Sequence, residues 1–516
     1  MNHSFSKVHN FSNSTGAALK HLFLPEVDSL WVYLILGGIT FIAVVLRVLE
    51  LDKPILYDEA FTFINYASRS FKYILASYSA PNNHIFHTVL VGIAYRLFGG
   101  QSWILRLPAF SAGILGIPAT FLTARRFFSR SQALAASLPV AVMAGFINYS
   151  TNGRGYTLVT LFALLLANFG AILVEKQSRS ALMAYGITGA LGFYTIPVFL
   201  YPMAGISLWL AVTYLANDEP WKERMRKLGI FLSVCALSGL LTLILYSPVI
   251  IFGTGLESII GNEVVESLTW SNFVEGIGTR VSITWGNWMK GLDPLMENLL
   301  LGGFLLSVIF YRKASRQKLP MQVFLFLAVT ILLALQRVTP FGRVFLYLEA
   351  FYLMFAAAGL VWLASLLFRR VVGNTWTDIL TSVALLLIGI GILTSTWQKT
   401  QHEDVLADQD LQAEEYVARY ITDHIKPEDT IVSTAPVDIQ TAYYLKINGI
   451  PFERFYQRDH PVKIKNALIV LRKNAKYDTP ESVLEFYKLT SELDLEATEF
   501  LYEYGKVQVY SVPARK

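Results

Sequence analysis

The stretch "LYDEAFTF", residues 56–63, follows a long apolar run and carries two adjacent carboxylates, Asp58 and Glu59. A carboxylate in a confined apolar mouth has its pKa raised and can take a proton from a hydroxyl. A second one beside it can orient an acceptor, share a proton or hold a divalent cation through oxygen. Two acids after an apolar run are also ordinary topology markers, so residue chemistry alone leaves both readings open. In "SAPNNHIFHTVL" (79–90), Asn83 and His84 precede the next apolar segment. His84 and His87 are three apart, a spacing that shares one helical face, but two histidines do not make a metal site. Asn83 reads equally as a helix N-cap, and His84 as a hydrogen-bond partner of an acceptor or of the two acids.

Two further stretches carry arginines. In "NYSTNGRGYTLVTLF" (148–162), Arg154 sits between two glycines, with Tyr156 after it. Glycines let the backbone approach a ligand, and a guanidinium suits a phosphate through forked bonds. A snorkelling interfacial arginine is the plainer alternative. In "LQRVTPFGRVFLYLEAFYLMF" (335–355), Arg337 and Arg343 bracket a Thr-Pro-Phe-Gly turn. Glu349 lies about two turns into the following run. A carboxylate there is a functional candidate by default, with pairing to an arginine as the structural alternative. Arg106 reads as a helix-end anchor and Pro108 as a helix break or start. Trp270, Trp285 and Trp288 read as an interfacial aromatic belt, or as an amphipathic lid over a lipid or sugar groove.

The elements that must position these residues are membrane spans. The 516-residue chain is 54% hydrophobic and 16% charged, against about 25% charged in a soluble domain. Apolar runs near 20 residues can span a bilayer. They fall at about 31–49, 84–98, 104–123, 132–148, 156–174, 181–197, 203–216, 229–249, 293–311, 320–335, 344–367 and 378–396. The fold class is therefore a polytopic α-helical membrane protein with about 11–13 transmembrane helices. The polar N-terminal segment, 1–30, leads into a signal anchor that stays in place. The membrane domain is 31–399, with exterior loops 51–83 and 250–290. Basic loops such as "ARRFFSR" (124–130) and "YRKASRQK" (311–318) belong to the cytoplasm. Keeping Asp58 outside then requires that one segment between 84 and 124 does not cross.

Beyond residue 400 the chain turns charged. Leu411, Val417, Tyr420, Ile421 and Ile425 approximate one helical face. Residues 430–434, 467–472 and 506–512 read as strands, which makes 400–516 a small extracytoplasmic α/β domain. Cys235, the only cysteine, lies inside an apolar run and is read as a small buried hydrophobe. The net charge of +5 sits largely in loops between spans and calls for no nucleic acid. No P-loop, dinucleotide fingerprint, HExxH or serine-hydrolase elbow stands in a supporting context, so a nucleotide-powered activity has no support.

The ordered set "YDEAFTF", "PNNHIFH", "RLPAFSAGILGIPATFLTARRFF" and "NYSTNGRGYTL" resembles the bacterial membrane glycosyltransferases of the GT-C superfamily. The branch it resembles groups with protein O-mannosyltransferases and aminoarabinose transferases (glycosyltransferase family 39-like). The likeness is carried by about residues 30–200, with a looser match at "PFGRVFLY". It implies a bacterial cytoplasmic-membrane enzyme whose active site and C-terminal domain face outside. Such an enzyme moves a sugar from a polyprenyl-phosphate donor to a lipid, glycan or protein acceptor. It implies Asp58 as general base and Glu59 as its support; the neutral Asn83 and His84 depart from its pattern and are candidates on the acceptor or metal side. It places Arg154 and, by a looser match, Arg343 at the donor phosphate, with Tyr156 and Arg337 as further candidates there. A divalent cation, Mg or Mn, stays open, with Asp58, Glu59 and His84 as candidate ligands. The rival functions are a glycan polymerase or ligase, and a transporter of lipid-linked or polar substrates.

Overall fold

The computed structural model describes residues 28–261, 266–372, 389, 391, 412–458 and 461–515. Two compact units divide them. The first holds most of the apolar helices. Among the described residues, by length and composition, six helices can cross a membrane: Leu30–Leu49, Ser102–Phe127, Tyr156–Glu175, Pro197–Leu215, Trp221–Phe252 and Gly342–Phe368. A bent pair, Arg130–Val142 and Ala144–Ser150, makes a seventh if it is one span. Ile85–Phe98, Pro294–Ile309 and Met321–Gln336 are apolar but shorter. The polytopic helical architecture is thus as expected from the sequence. Full-length spans among the described residues are fewer than the runs suggested, because several runs form helices of 14–16 residues. The expected span 378–396 lies outside the described residues, apart from Gly389 and Gly391.

The bent pair turns by 61° at its break. A broken helix at membrane depth leaves carbonyls that need donors. Arg47, fully buried in the first span, supplies them. Its guanidinium donates to Val140 O at 2.9 Å and Ala141 O at 2.8 Å, and its Nε to Ser150 Oγ at 3.0 Å. This fixes the helix end from which the Arg154 loop departs. Further along, Pro294–Ile309 packs on Leu346–Val372. A Cβ on Gly303 would collide with the Ala356 carbonyl, so small residues set that close approach.

The second unit gathers residues 51–74 and 88–107 with the described part of the C-terminal region. Its sheet has the order β1-β2-β4-β3, with β1 Asp429–Ser433, β2 Asn466–Arg472, β3 Glu499–Tyr504 and β4 Val507–Pro513. β1 and β2 are parallel, and the other pairs are antiparallel. The connection from β1 to β2 carries the helix Asp438–Ile447, as a parallel pair requires. Three of the strands match the sequence reading. β3 was not read because its "EFLYEY" is an edge strand without a buried alternate face. The helix at 412–424 buries Val417 and Ile421 as its periodicity predicts; Leu411 lies outside the described residues. One core joins Ile55, Phe63 and Ile64 to Val417, Ile431 and Tyr443. The 51–74 segment is therefore built into the C-terminal unit's hydrophobic core.

Candidate active site

The two adjacent acids have different surroundings. They open a short helix, Tyr57–Thr62, whose Leu56 N-cap is extended. Glu59, third in the helix, accepts the Leu56 N–H through Oε2 at 2.9 Å, half of a capping box. Its two oxygens also take Arg106 in a forked pair, Nε to Oε1 at 2.9 Å and Nη2 to Oε2 at 2.8 Å. Both side chains are almost fully buried. The same guanidinium donates to the carbonyls of Leu51 (2.9 Å), Lys53 (2.7 Å) and Pro54 (3.0 Å). Arg106 therefore ties the 51–54 loop to Glu59, a wider role than a helix-end anchor. Asp58 is half-buried, and its backbone carbonyl accepts Thr62 Oγ1 at 2.9 Å.

Tyr57, just before Asp58, lies within electrostatic reach of Asp438 at the start of the helix Asp438–Ile447. Burial pushes the Asp438 carboxyl above its ordinary range, against the pull of the Ile439 N–H and the Tyr57 hydroxyl. Burial and then the Asp438 charge push the Tyr57 phenol up. Neither residue stood out in the sequence, since a partner nearly 400 positions away leaves no local signal.

The arginine group belongs to the first unit. His84 Nδ1 accepts the Gly155 N–H at 2.9 Å. In its neutral form this ring carries its proton on Nε2, which lies 3.4 Å from Arg154 Nη2. Two donors so close suit one shared acceptor, such as an anionic oxygen. A Cβ on Gly155 would stand 3.1 Å from His84 Nδ1 and 2.8 Å from Thr195 Cγ2, so the glycine permits the approach. Tyr156 packs edge-on against His84 at 5.1 Å and lies 5.8 Å from the Arg154 guanidinium. Arg343, on the 3-10 turn Gly342–Phe345, is within electrostatic reach of His84. Asn83 is buried and donates to Ser77 O at 2.6 Å. It stands two residues before the helix Ile85–Phe98, so it is not the N-cap.

An apolar cavity of about 370 Å³ opens in the same unit. Its walls include Trp285, Trp288, Phe304, Phe326, Leu348 and Tyr352, with Arg280 among them. Arg280 and Arg343 lie 5.1 Å and 4.8 Å from the same ring, Phe341. Trp285 and Trp288 thus line the cavity, which favours the groove reading over a plain belt; Trp270 is exposed. Arg280 was missed as a site residue. The signal was present, because Ile277, Arg280, Val281, Thr284, Trp285 and Trp288 share one face of the helix Trp270–Trp288. Arg337 closes the helix Met321–Gln336 in the left-handed region at φ 53°. Its carbonyl accepts the Leu268 N–H at 2.9 Å, a backbone role beside the expected phosphate one. Glu349 is buried and makes no ion pair among the described residues.

Among the described residues no three His, Cys, Asp or Glu side chains gather as ligands. Of the Asp58, Glu59 and His84 set, Glu59 gives both oxygens to Arg106.

Residues 83–252 match the family profile of dolichyl-phosphate-mannose-protein mannosyltransferase. Two solved structures of ArnT from Cupriavidus metallidurans share the fold at 13% identity. The apo state has a TM-score of 0.57, with 93% of this chain and 97% of that chain covered. The undecaprenyl phosphate-bound state has 0.55, with 93% and 98% covered. No curated protein sequence matches the chain. The chain shares its fold with ArnT. The resemblance to the protein mannosyltransferase and aminoarabinose transferase group of GT-C enzymes stands.

Proposed function

We propose that this protein transfers a sugar from a polyprenyl-phosphate donor to an acceptor hydroxyl on the extracytoplasmic face of the membrane. The observation that carries the reading is the apolar cavity with Arg280 in its wall and Arg280 and Arg343 flanking Phe341. Apolar walls beside paired guanidiniums suit a lipid chain that ends in a phosphate. The ArnT structure with undecaprenyl phosphate lends support, since that protein shares the fold.

On the donor side, negative charge grows on the leaving phosphate as the sugar bond breaks. Fixed cations stabilise that charge most in the transition state. Arg154 and Arg343 take this role, with His84 Nε2–H as a neutral donor and Tyr156 packed behind them. On the acceptor side, Asp58 takes the hydroxyl proton as the new glycosidic bond forms. Glu59 acts through position: its ion pair with Arg106 anchors the helix that carries Asp58. The phosphate bond already activates the sugar, so no nucleotide is consumed at this step.

The test is turnover by the purified protein in nanodiscs, offered radiolabelled polyprenyl-phospho-sugars and, separately, nucleotide sugars. Label should pass to acceptor from a lipid donor only. Transfer from nucleotide sugars, or from no lipid donor in a broad panel, overturns the reading.

A further inference from the structure

The C-terminal domain holds the backbone on which Asp58 stands. Helix Asp438–Ile447 presents two side chains to the segment just before it. Gln440 Nε2 donates to Ile55 O at 2.9 Å. Ile55 N–H donates to the Tyr444 hydroxyl at 3.1 Å. The neighbouring Tyr443 donates to Gly100 O at 2.8 Å and packs edge-on against Phe63 at 5.5 Å. Ile55, Gln440 and Tyr444 are buried, so these bonds exchange with no water, and a lost partner leaves a buried polar group unsatisfied. On the other side, Glu59 is pinned by Arg106. Ile55 before Asp58 and Glu59 after it are thus held by side chains, while Asp58 itself stays half-exposed.

We propose that Gln440 and Tyr444 are positioning residues for the reaction, a clamp that sets the Asp58 carboxylate through the backbone of Ile55. This rests on the reading of Asp58 as the base. The clamp makes the C-terminal domain a part of the catalytic machinery. A small displacement of a general base costs rate steeply, since proton transfer needs hydrogen-bond reach in the transition state.

Tyr444→Phe removes one hydroxyl and keeps the ring, and Gln440→Leu removes one donor. Each is measured for kcat, for donor Kd with undecaprenyl phosphate, and for the pH profile of kcat/KM, with Asp58→Asn run alongside. We expect kcat to fall about tenfold in each single variant and further in the double. Donor Kd should stay within twofold, and the acid limb of the profile should move. A wild-type kcat and profile in the double variant overturns the clamp while leaving the base assignment intact. Loss of donor affinity in step with kcat also overturns it, because that marks general damage. Wild-type turnover by Asp58→Asn overturns the base assignment instead, whatever the clamp variants do.

Discussion

Replacing Arg106 with Met is the sharpest probe of how the acidic loop is built. Five hydrogen bonds leave with the guanidinium: two to Glu59 and one each to the carbonyls of Leu51, Lys53 and Pro54. Glu59 stays behind, 3% exposed and without the Arg106 guanidinium. Breaking a buried ion pair from one side costs about 3–5 kcal/mol, a large share of a typical total near 5–15 kcal/mol. At about 2 °C per kcal/mol for a large chain, the midpoint should fall by about 6–10 °C. The double variant Glu59→Gln/Arg106→Met removes the buried charge. It should recover at least about 1 kcal/mol of that loss, the coupling expected of contacting residues. Tryptophan fluorescence melts in detergent and in nanodiscs measure both. A single variant within about 1 °C of wild type, or a double variant no better than the single, refutes the reasoning.

Two other outcomes follow from the geometry. Arg280→Ala should weaken undecaprenyl phosphate binding about tenfold, near 1.4 kcal/mol, while Arg154→Ala weakens donor binding more than acceptor binding; calorimetry on each variant decides, and wild-type donor affinity in both would empty the proposed phosphate site. Burial raises the Asp438 carboxyl, so the folded state holds that proton more tightly than the unfolded chain does. Stability from this group is then greatest below the unfolded pKa of about 3.9 and declines as pH rises through the higher folded value. Asp438→Asn should remove that decline from the melting temperature, and an unchanged pH slope would count against a buried carboxyl there.

The sequence makes the membrane class plain, because apolar runs and basic loops act locally through burial and topology. Asp58, Arg154 and Arg343 are also visible there, as charges set among glycines, prolines and apolar runs. What stays hidden depends on distant partners. Glu59 reads as a second reactive acid until Arg106 is seen to hold both its oxygens. Arg47 feeds a helix break about a hundred residues away, a partner that no local pattern announces. The break itself has little signal, since "PVAVMAGF" is uniformly apolar. β3 is hidden for the opposite reason, as its edge position leaves acids and tyrosines partly in water. Arg280 shows only when its helix is read as one face of a cavity.

The proposed chemistry turns on Asp58 as the base of a lipid-phosphosugar transfer. The direct measurement is turnover of a radiolabelled polyprenyl-phospho-sugar by purified wild type and Asp58→Asn, side by side, with donor binding and melting temperature recorded for both. The variant is expected to lose transfer by at least about a hundredfold, while it binds donor and melts like wild type. Transfer at the wild-type rate by a folded Asp58→Asn protein would contradict that role.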